Sequence, residues 1–244
     1  MINNDLLYYI PSGEFGKEGV LGLLKTHPEI RFVSLVGIDL AGNDTDEKVP
    51  IELFLKNYDD FFAGTAVQTD GSSVVLMNIA TLNDARVDMV ADASVNWYID
   101  YNEDNLYSNG RPVGTLRIPC FLLHNGKFID SRSILKESCA FVAEKLKGLL
   151  ASGKPVKGME DLPVDEIEDI KFTIGTELEF WVKTPSETET VQHLSISQRL
   201  QEQYWQRMRG NVRTAMEEAI EELDARGMYV DCLLYTSPSP RDST

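Results

Sequence analysis

The stretch Ile170–Val182, IKFTIGTELEFWV, decides how the rest of this sequence is read. Its residues alternate as in a β-strand. Ile174, Thr176, Leu178, Phe180 and Val182 fall on one face, and Gly175, Glu177, Glu179 and Trp181 on the other. Two carboxylates side by side on an apolar strand need a reason. Strand geometry sets Glu177 and Glu179 roughly 7 Å apart. That is too far for a shared proton and suits two acids that each hold a cation. The competing interpretation is the solvated face of an edge strand, and for an arbitrary Glu-x-Glu it is the commoner one. Trp181 on the same face and a long apolar helix upstream make solvation less comfortable here.

The bulk numbers bound the possibilities. A chain of 244 residues makes one large or two modest domains, and 43% hydrophobic residues is ordinary for a folded protein. A net charge of −16 argues against a nucleic-acid or anionic-membrane surface. The longest apolar runs are far too short to span a bilayer. The start, MINNDLLYYI, has acid and amide where a signal peptide needs basic residues. The three cysteines, at 120, 139 and 232, lack a CxxC spacing. Together these features predict a cytoplasmic protein with reduced thiols.

Working outward, Lys17–His27 suits a short helix ended by Pro28. RFVSLVGIDLAGNDTDEKVPI predicts two strands around a turn at Gly42 and Asn43. Ile51–Gly64 predicts one short helix closed by glycine. RVDMVAD and SVNWYIDY alternate as strands, and Asn125-Gly126 marks a further hairpin. A mostly β first part with one or two helices indicates an α+β fold. From Asp130 a helix follows, with Ser131 or Ser133 as its cap. Its apolar stripe is Leu135, Cys139, Val142, Leu146 and Leu149, and Gly153 ends it. A polar connector leads to the two-glutamate strand. A long helix, Ser195–Arg226, stops at Gly227.

The last thirteen residues, CLLYTSPSPRDST from Cys232 to Thr244, break the pattern before them. They resemble what a common sequencing-library adapter encodes in one reading frame. The alternative is a natural Ser/Pro-rich tail. On the adapter interpretation these residues are excluded from the fold. The natural protein is then expected to continue past Asp231, and this chain is expected to be inactive by itself.

Three ordered stretches resemble glutamine synthetase, in its long bacterial form. FVSLVGIDLAGN…KVPI resembles the opening hairpin of that family's N-terminal β-grasp domain. TDGSSV…VDMVADAS, Thr69–Ser94, resembles its Asp-Gly-Ser-Ser loop and the strand after it. DSRSILK…GTELEFW, Asp130–Trp181, resembles the helix that opens the catalytic domain and the Gly-x-Glu-x-Glu-Phe strand. The closing helix, QEQYWQRMRGNVRTAMEEAIEEL, resembles that of long members. Singly each motif is weak; the three in order carry the resemblance.

The resemblance implies a β-grasp domain over 1–115, after a short leader 1–16, and the start of a catalytic α/β domain over 116–231. It implies that Glu177 and Glu179 are metal ligands for Mg²⁺ or Mn²⁺. Carboxylate oxygens are the hard donors those ions take. Asp70 is implied as the catalytic residue that binds ammonium and takes its proton, at the neighbouring subunit's site, with Ser73 as a substrate contact. The partners implied are glutamate, ammonium and ATP, with self-association into rings and no nucleic acid or membrane. The reaction implied is ATP-dependent amidation of glutamate through γ-glutamyl phosphate.

The chain departs from short bacterial members after the loop, where VVLMNIA stands in place of a Gly-Gly-Trp-like segment. Asp70-Gly71 by itself also reads as a plain turn. His27, His124 and His193 are isolated and read as surface or core residues. Arg132, at a helix start, reads as a structural ion pair. The alternatives are a γ-glutamyl-amine ligase of the same fold, a non-catalytic glutamine-synthetase-like assembly or regulatory protein, and an acidic α+β domain without chemistry.

Overall fold

The computed structural model describes residues 3–13, 16–77, 81–83, 85–154, 157–158, 167–174 and 210–230. The chain divides into two compact units, Tyr9–Ile174 and a second made of Met1–Tyr8 with Gly175–Thr244.

The larger unit is an α+β assembly. Its elements are β1 Tyr9–Ile10, α1 Lys17–Thr26, β2 Ile30–Val36, β3 Glu47–Pro50, α2 Ile51–Lys56, α3 Tyr58–Ala63, β4 Gln68–Asp70, β5 Arg86–Ala91, β6 Trp97–Leu106, β7 Pro112–His124, β8 Lys127–Phe128 and α4 Ser131–Ala151. The eight strands form one sheet with a main order β1-β6-β7-β2-β3, while β5 and β8 pair with β7 and β4 pairs with β5. Among the described residues only β2 and β7 run parallel; the other pairs are antiparallel.

β7 is the spine. It carries Leu116, Ile118, Cys120 and Leu122 on one face, each fully buried. Period-two alternation on a pleated strand places those four side chains together. Val33 and Leu35 of β2, Val87 and Met89 of β5, and Ile99 of β6 join them in the core. β5 and β6 follow one another along β7. Ala91 pairs Cys120 and Tyr98 pairs Arg117, so seven residues on that side span three on β7. The surplus forms a bulge at 92–96.

The bulge is locked from within. The Asp92 carboxylate accepts from the Ser94 N–H at 2.9 Å and the Ser94 hydroxyl at 2.6 Å, and pairs with the Arg132 guanidinium at 2.6 Å. Burial works to raise the Asp92 pKa, but these contacts hold it below the usual carboxylate range. Arg132 also stacks over Phe121 at 4.9 Å. It therefore makes the structural ion pair its position suggested. The Asp92 carbonyl accepts from the Trp97 indole at 2.9 Å. Trp97 packs under the sheet against Phe54 at 6.3 Å and Phe62 at 5.9 Å, and Phe54 meets Phe61 at 5.0 Å.

Several local expectations hold. The Gly42–Asn43 turn joins β2 to β3, with Asp39 N–H donating to the Asn43 carbonyl at 3.0 Å. Asn125 and Gly126 both take positive φ, 49° and 74°, which a tight β7–β8 hairpin requires. Others are corrected. The single helix expected over Ile51–Gly64 is two, because Asn57 leaves helical geometry at φ −116°, ψ 32°. Gly64 still closes the second in the left-handed region. The cap of α4 is Asp130, not Ser131 or Ser133. Its carboxylate accepts from the Ser133 N–H at 2.8 Å and the Leu122 N–H at 3.0 Å, tying the helix to β7. The α4 stripe is largely open, with Leu135 56%, Val142 48% and Leu149 43% exposed. Residues 170–174 are not in a strand, because none of the described residues pairs with them; Ile174 is 77% exposed. The boundary expected after residue 115 falls inside β7.

In the smaller unit the described helix, α5, spans Gly210–Ala225. It ends in a Schellman turn. Gly227 N–H donates to the Asp224 carbonyl at 2.8 Å and Met228 N–H to the Leu223 carbonyl at 2.9 Å, with Gly227 at φ 70°. Residues 195–209 of the expected helix and the tail 232–244 lie outside the described residues. No described helix is long and apolar enough to cross a membrane.

A buried carboxylate joins the α1–β2 corner to the β6–β7 turn. Glu29, 0% exposed, contacts His27 Nδ1 at 3.0 Å and Arg111 at 3.3 Å, and accepts from the Asn109 amide at 3.3 Å. Burial pushes its pKa up, yet its hydrogen bonds hold it below the ordinary 4.5. A carboxylate with a depressed folded pKa stabilises above its unfolded pKa and loses that contribution as pH falls through the folded value. Glu29→Gln is therefore expected to lower stability by roughly 2 kcal/mol at pH 7. In urea unfolding, the gap from the parent should close as pH drops below 4.5.

Candidate functional site

The Asp70 loop is the part of the expected site that falls on described residues. β4 ends at Asp70, and a single 3₁₀ turn, Gly71–Ser73, follows. This is not a two-residue hairpin: residues 71–85 separate β4 from β5, and Asp70 pairs across to Arg86. The Asp70 carboxylate caps the turn, accepting from the Ser72 N–H at 2.8 Å. That backbone bond, and then the Ser72 side chain, lower its pKa below the ordinary range. The side chain is exposed. An exposed carboxylate made more acidic is a standing anion near neutral pH, able to attract a cation.

The loop is tied down at both ends. Gly71 N–H donates to the Ala85 carbonyl at 2.7 Å. Gly71 is buried, and a Cβ built there would lie 2.4 Å from the Leu82 carbonyl oxygen, so only glycine fits. Downstream, Val75 N–H donates to the Asp39 carboxylate at 3.1 Å, and Leu40 N–H donates to the Val75 carbonyl at 3.2 Å. Asp39 is 2% exposed and gathers the N–H groups of Ala41 and Asn43, each at 2.9 Å, and the Asn43 amide at 3.0 Å. Burial alone would raise its pKa; these hydrogen bonds lower it. The β2–β3 turn thus positions the loop of Asp70. Ser73, at the end of the turn, is exposed, and its hydroxyl has no hydrogen-bond partner among the described residues.

The sequence reading missed Asp39 and Arg86. Asp39 sits in IDLAGN, where only Gly42 and Asn43 were read as turn residues. Arg86 lies directly across from Asp70, contacts Gln68 through its guanidinium, and has its carbonyl capped by His124 Nδ1–H at 2.9 Å. Gln68 donates to Asp88 at 2.6 Å. No spacing signal in one sequence gives that register. His27 is half-buried beside Glu29, so both described histidines have structural partners. Cys120 is no nucleophile, since burial pushes its thiol pKa up to about 12.

Glu177 and Glu179 lie outside the described residues. Among the described residues no group of three or more His, Cys, Asp or Glu could hold a metal ion. The structure therefore brings Asp70 and Ser73 onto one anchored loop, while the pair of glutamates stays an expectation from sequence.

The Gly71 contact is testable. Gly71→Ala should force the Leu82 segment aside and lower stability by about 1–3 kcal/mol. Amide exchange at Gly71 and Val74 should accelerate while that of the β7 core stays protected. Unchanged stability would mean that the loop is not clamped at this glycine.

No family model matches the chain, and no curated protein matches it. Among solved structures, the chain is similar to one described as a cryoEM structure of Plasmodium falciparum glutamine synthetase. The identity is 18% and the TM-score 0.38, over 55% of this chain and 24% of that one. The chain thus spans about a quarter of that protein's length, a likeness too low to establish a shared fold.

Proposed function

We propose that this chain belongs to a glutamine synthetase, an ATP-dependent ligase that joins ammonia to the γ-carboxylate of glutamate through γ-glutamyl phosphate. The observation that carries the reading is the ordered set of three motifs, from the β2–β3 hairpin through Thr69–Ser94 to Asp130–Trp181. The clamped loop that presents the exposed Asp70 carboxylate is compatible with it.

On this reading the β-rich part is a β-grasp domain, and Asp70 serves a neighbouring subunit of a ring. Its depressed pKa keeps it an anion that holds ammonium, and the proton that ammonium must lose before its nitrogen can attack passes through this carboxylate. Ser73, with its hydroxyl unclaimed by the described residues, is the substrate contact of the same loop. Glu177 and Glu179 would hold Mg²⁺ or Mn²⁺. Those ions, when bound, neutralise phosphate charge during phosphoryl transfer. Oxygen donors are the ligand type that both metals take. ATP and glutamate are the remaining substrates.

Two measurements test this. The protein that carries these motifs should form glutamine from glutamate, ATP and ammonium. Asp70→Asn should lower that rate by about 10²–10⁴-fold. Preference for a larger amine over ammonium would favour the γ-glutamyl-amine ligase instead. Manganese titration of the present chain, followed by electron paramagnetic resonance, should show binding that Glu177→Gln and Glu179→Gln each weaken. Absence of ATP-dependent amide formation by that protein overturns the proposal.

A further inference from the structure

The sheet has a second face, opposite the core. Directly paired residues share a side, so Asp100, Thr115 and Phe32 form one row across β6, β7 and β2. Asn102 and Val113 form the next pair. Small side chains on β7 between taller neighbours leave a depression of about 320 Å³ there. It is lined by Phe32, Lys48, Asp100, Asn102, Asn105, Val113 and Thr115. That volume is at the small end of ligand pockets, which run about 300–1,000 Å³. It shares no residue with the Asp70 loop.

Three features say that this is more than an irregularity of the surface. First, β6 bulges here: Asn102 pairs Val113 and Leu106 pairs Pro112, so four residues on β6 span one on β7 and Asn105 joins the rim. Bulges commonly re-aim side chains beside sites. Second, Thr115 is only 7% exposed, yet its hydroxyl has no hydrogen-bond partner among the described residues. A buried hydroxyl left unpaired costs free energy that a ligand can recover. Third, the lining charges are opposite and weakly committed. Asp100 has no ion pair among the described residues, and Lys48 reaches Asp46 only at 3.8 Å.

We propose that this depression binds a small zwitterion of the α-amino-acid class, with Asp100 taking the ammonium and Lys48 with Thr115 taking the carboxylate. Asn102 and Asn105 then face the ligand's side chain, and Phe32 and Val113 cover its carbon atoms. β6 and β2 lie on either side of β7, each about 4.8 Å away. Lys48 lies one strand further out, on β3, so about 14 Å of sheet separates its backbone from that of Asp100; with its long side chain extended over β2, one compact dipolar molecule spans both charges. A neutral sugar can hydrogen-bond both groups but brings no charge opposite to either.

The test uses the whole chain labelled with ¹³C-methyl threonine and titrated with L-serine. The Thr115 methyl should shift saturably, with half-saturation in the millimolar range. Calorimetry should show binding weakened about tenfold or more by Asp100→Asn and by Lys48→Met. Both positions are exposed, so the fold should persist, and unchanged methyl shifts elsewhere confirm that. Succinate lacks the ammonium and ethanolamine lacks the carboxylate; each should bind more weakly than serine. Equal binding of either one overturns the zwitterion, as does a saturable Thr115 shift with glucose and none with serine. No saturable shift with serine in the millimolar range overturns the site altogether.

Discussion

β7 hydrogen-bonds to four other strands, and its pleat is the constraint on which the larger unit depends. Leu116, Ile118, Cys120 and Leu122 are all fully buried on one side. A slip of one residue would carry all four to the open face. The parallel neighbour β2, the in-line pair β5 and β6, and the short return β8 take their register from this strand. The start of α4 is held to it as well, by Asp130 accepting from the Leu122 N–H. Arg132, two residues on, donates to both the Cys120 carbonyl and the Asp92 carboxylate.

Buried acids do much of the joining between elements. Glu29 ties the strand-entry corner to a distant turn, Asp39 ties one turn to the loop after Asp70, and Asp92 ties a bulge to a helix. Each is at most 4% exposed. Each is kept ionised because N–H, amide or guanidinium donors outweigh the penalty of burial. The chain's large negative charge is therefore not all solvated surface; part of it is internal wiring. Asp70 differs, being exposed and held by its own turn. The order of the sequence motifs, rather than this exposure, is what singles out the Asp70 loop among the chain's exposed acids.

Local chemistry was legible wherever the backbone itself forces the answer. Asn125-Gly126, Gly64 and Gly227 were read as turn or stop residues, and each takes the positive φ that the reading needs. Alternation along RVDMVAD and SVNWYIDY gave β5 and β6 for the same reason. Misreadings arose where two local options are close in energy. Asp130, Ser131 and Ser133 can all cap a helix; Asp130 takes the role because Leu122 N–H adds a second bond to it. Ile51–Gly64 has the composition of one helix, but Asn57 breaks it so that Phe54 and Phe61 can meet edge to face.

The amino-acid sequence by itself determined β2, β3, β5, β6 and the β7–β8 hairpin, the turns between them, the α+β character and the motif order that points to Asp70, Ser73, Glu177 and Glu179. Those features depend on spacing of two to four residues, which one chain displays. Tertiary structure decided which strands pair, that Arg86 stands across from Asp70, that Asp39 anchors the loop, and that Thr115 opens onto a depression with Asp100 and Lys48. These depend on contacts between residues far apart in the chain, where many pairings satisfy the same alternation and only packing of the whole sheet selects one.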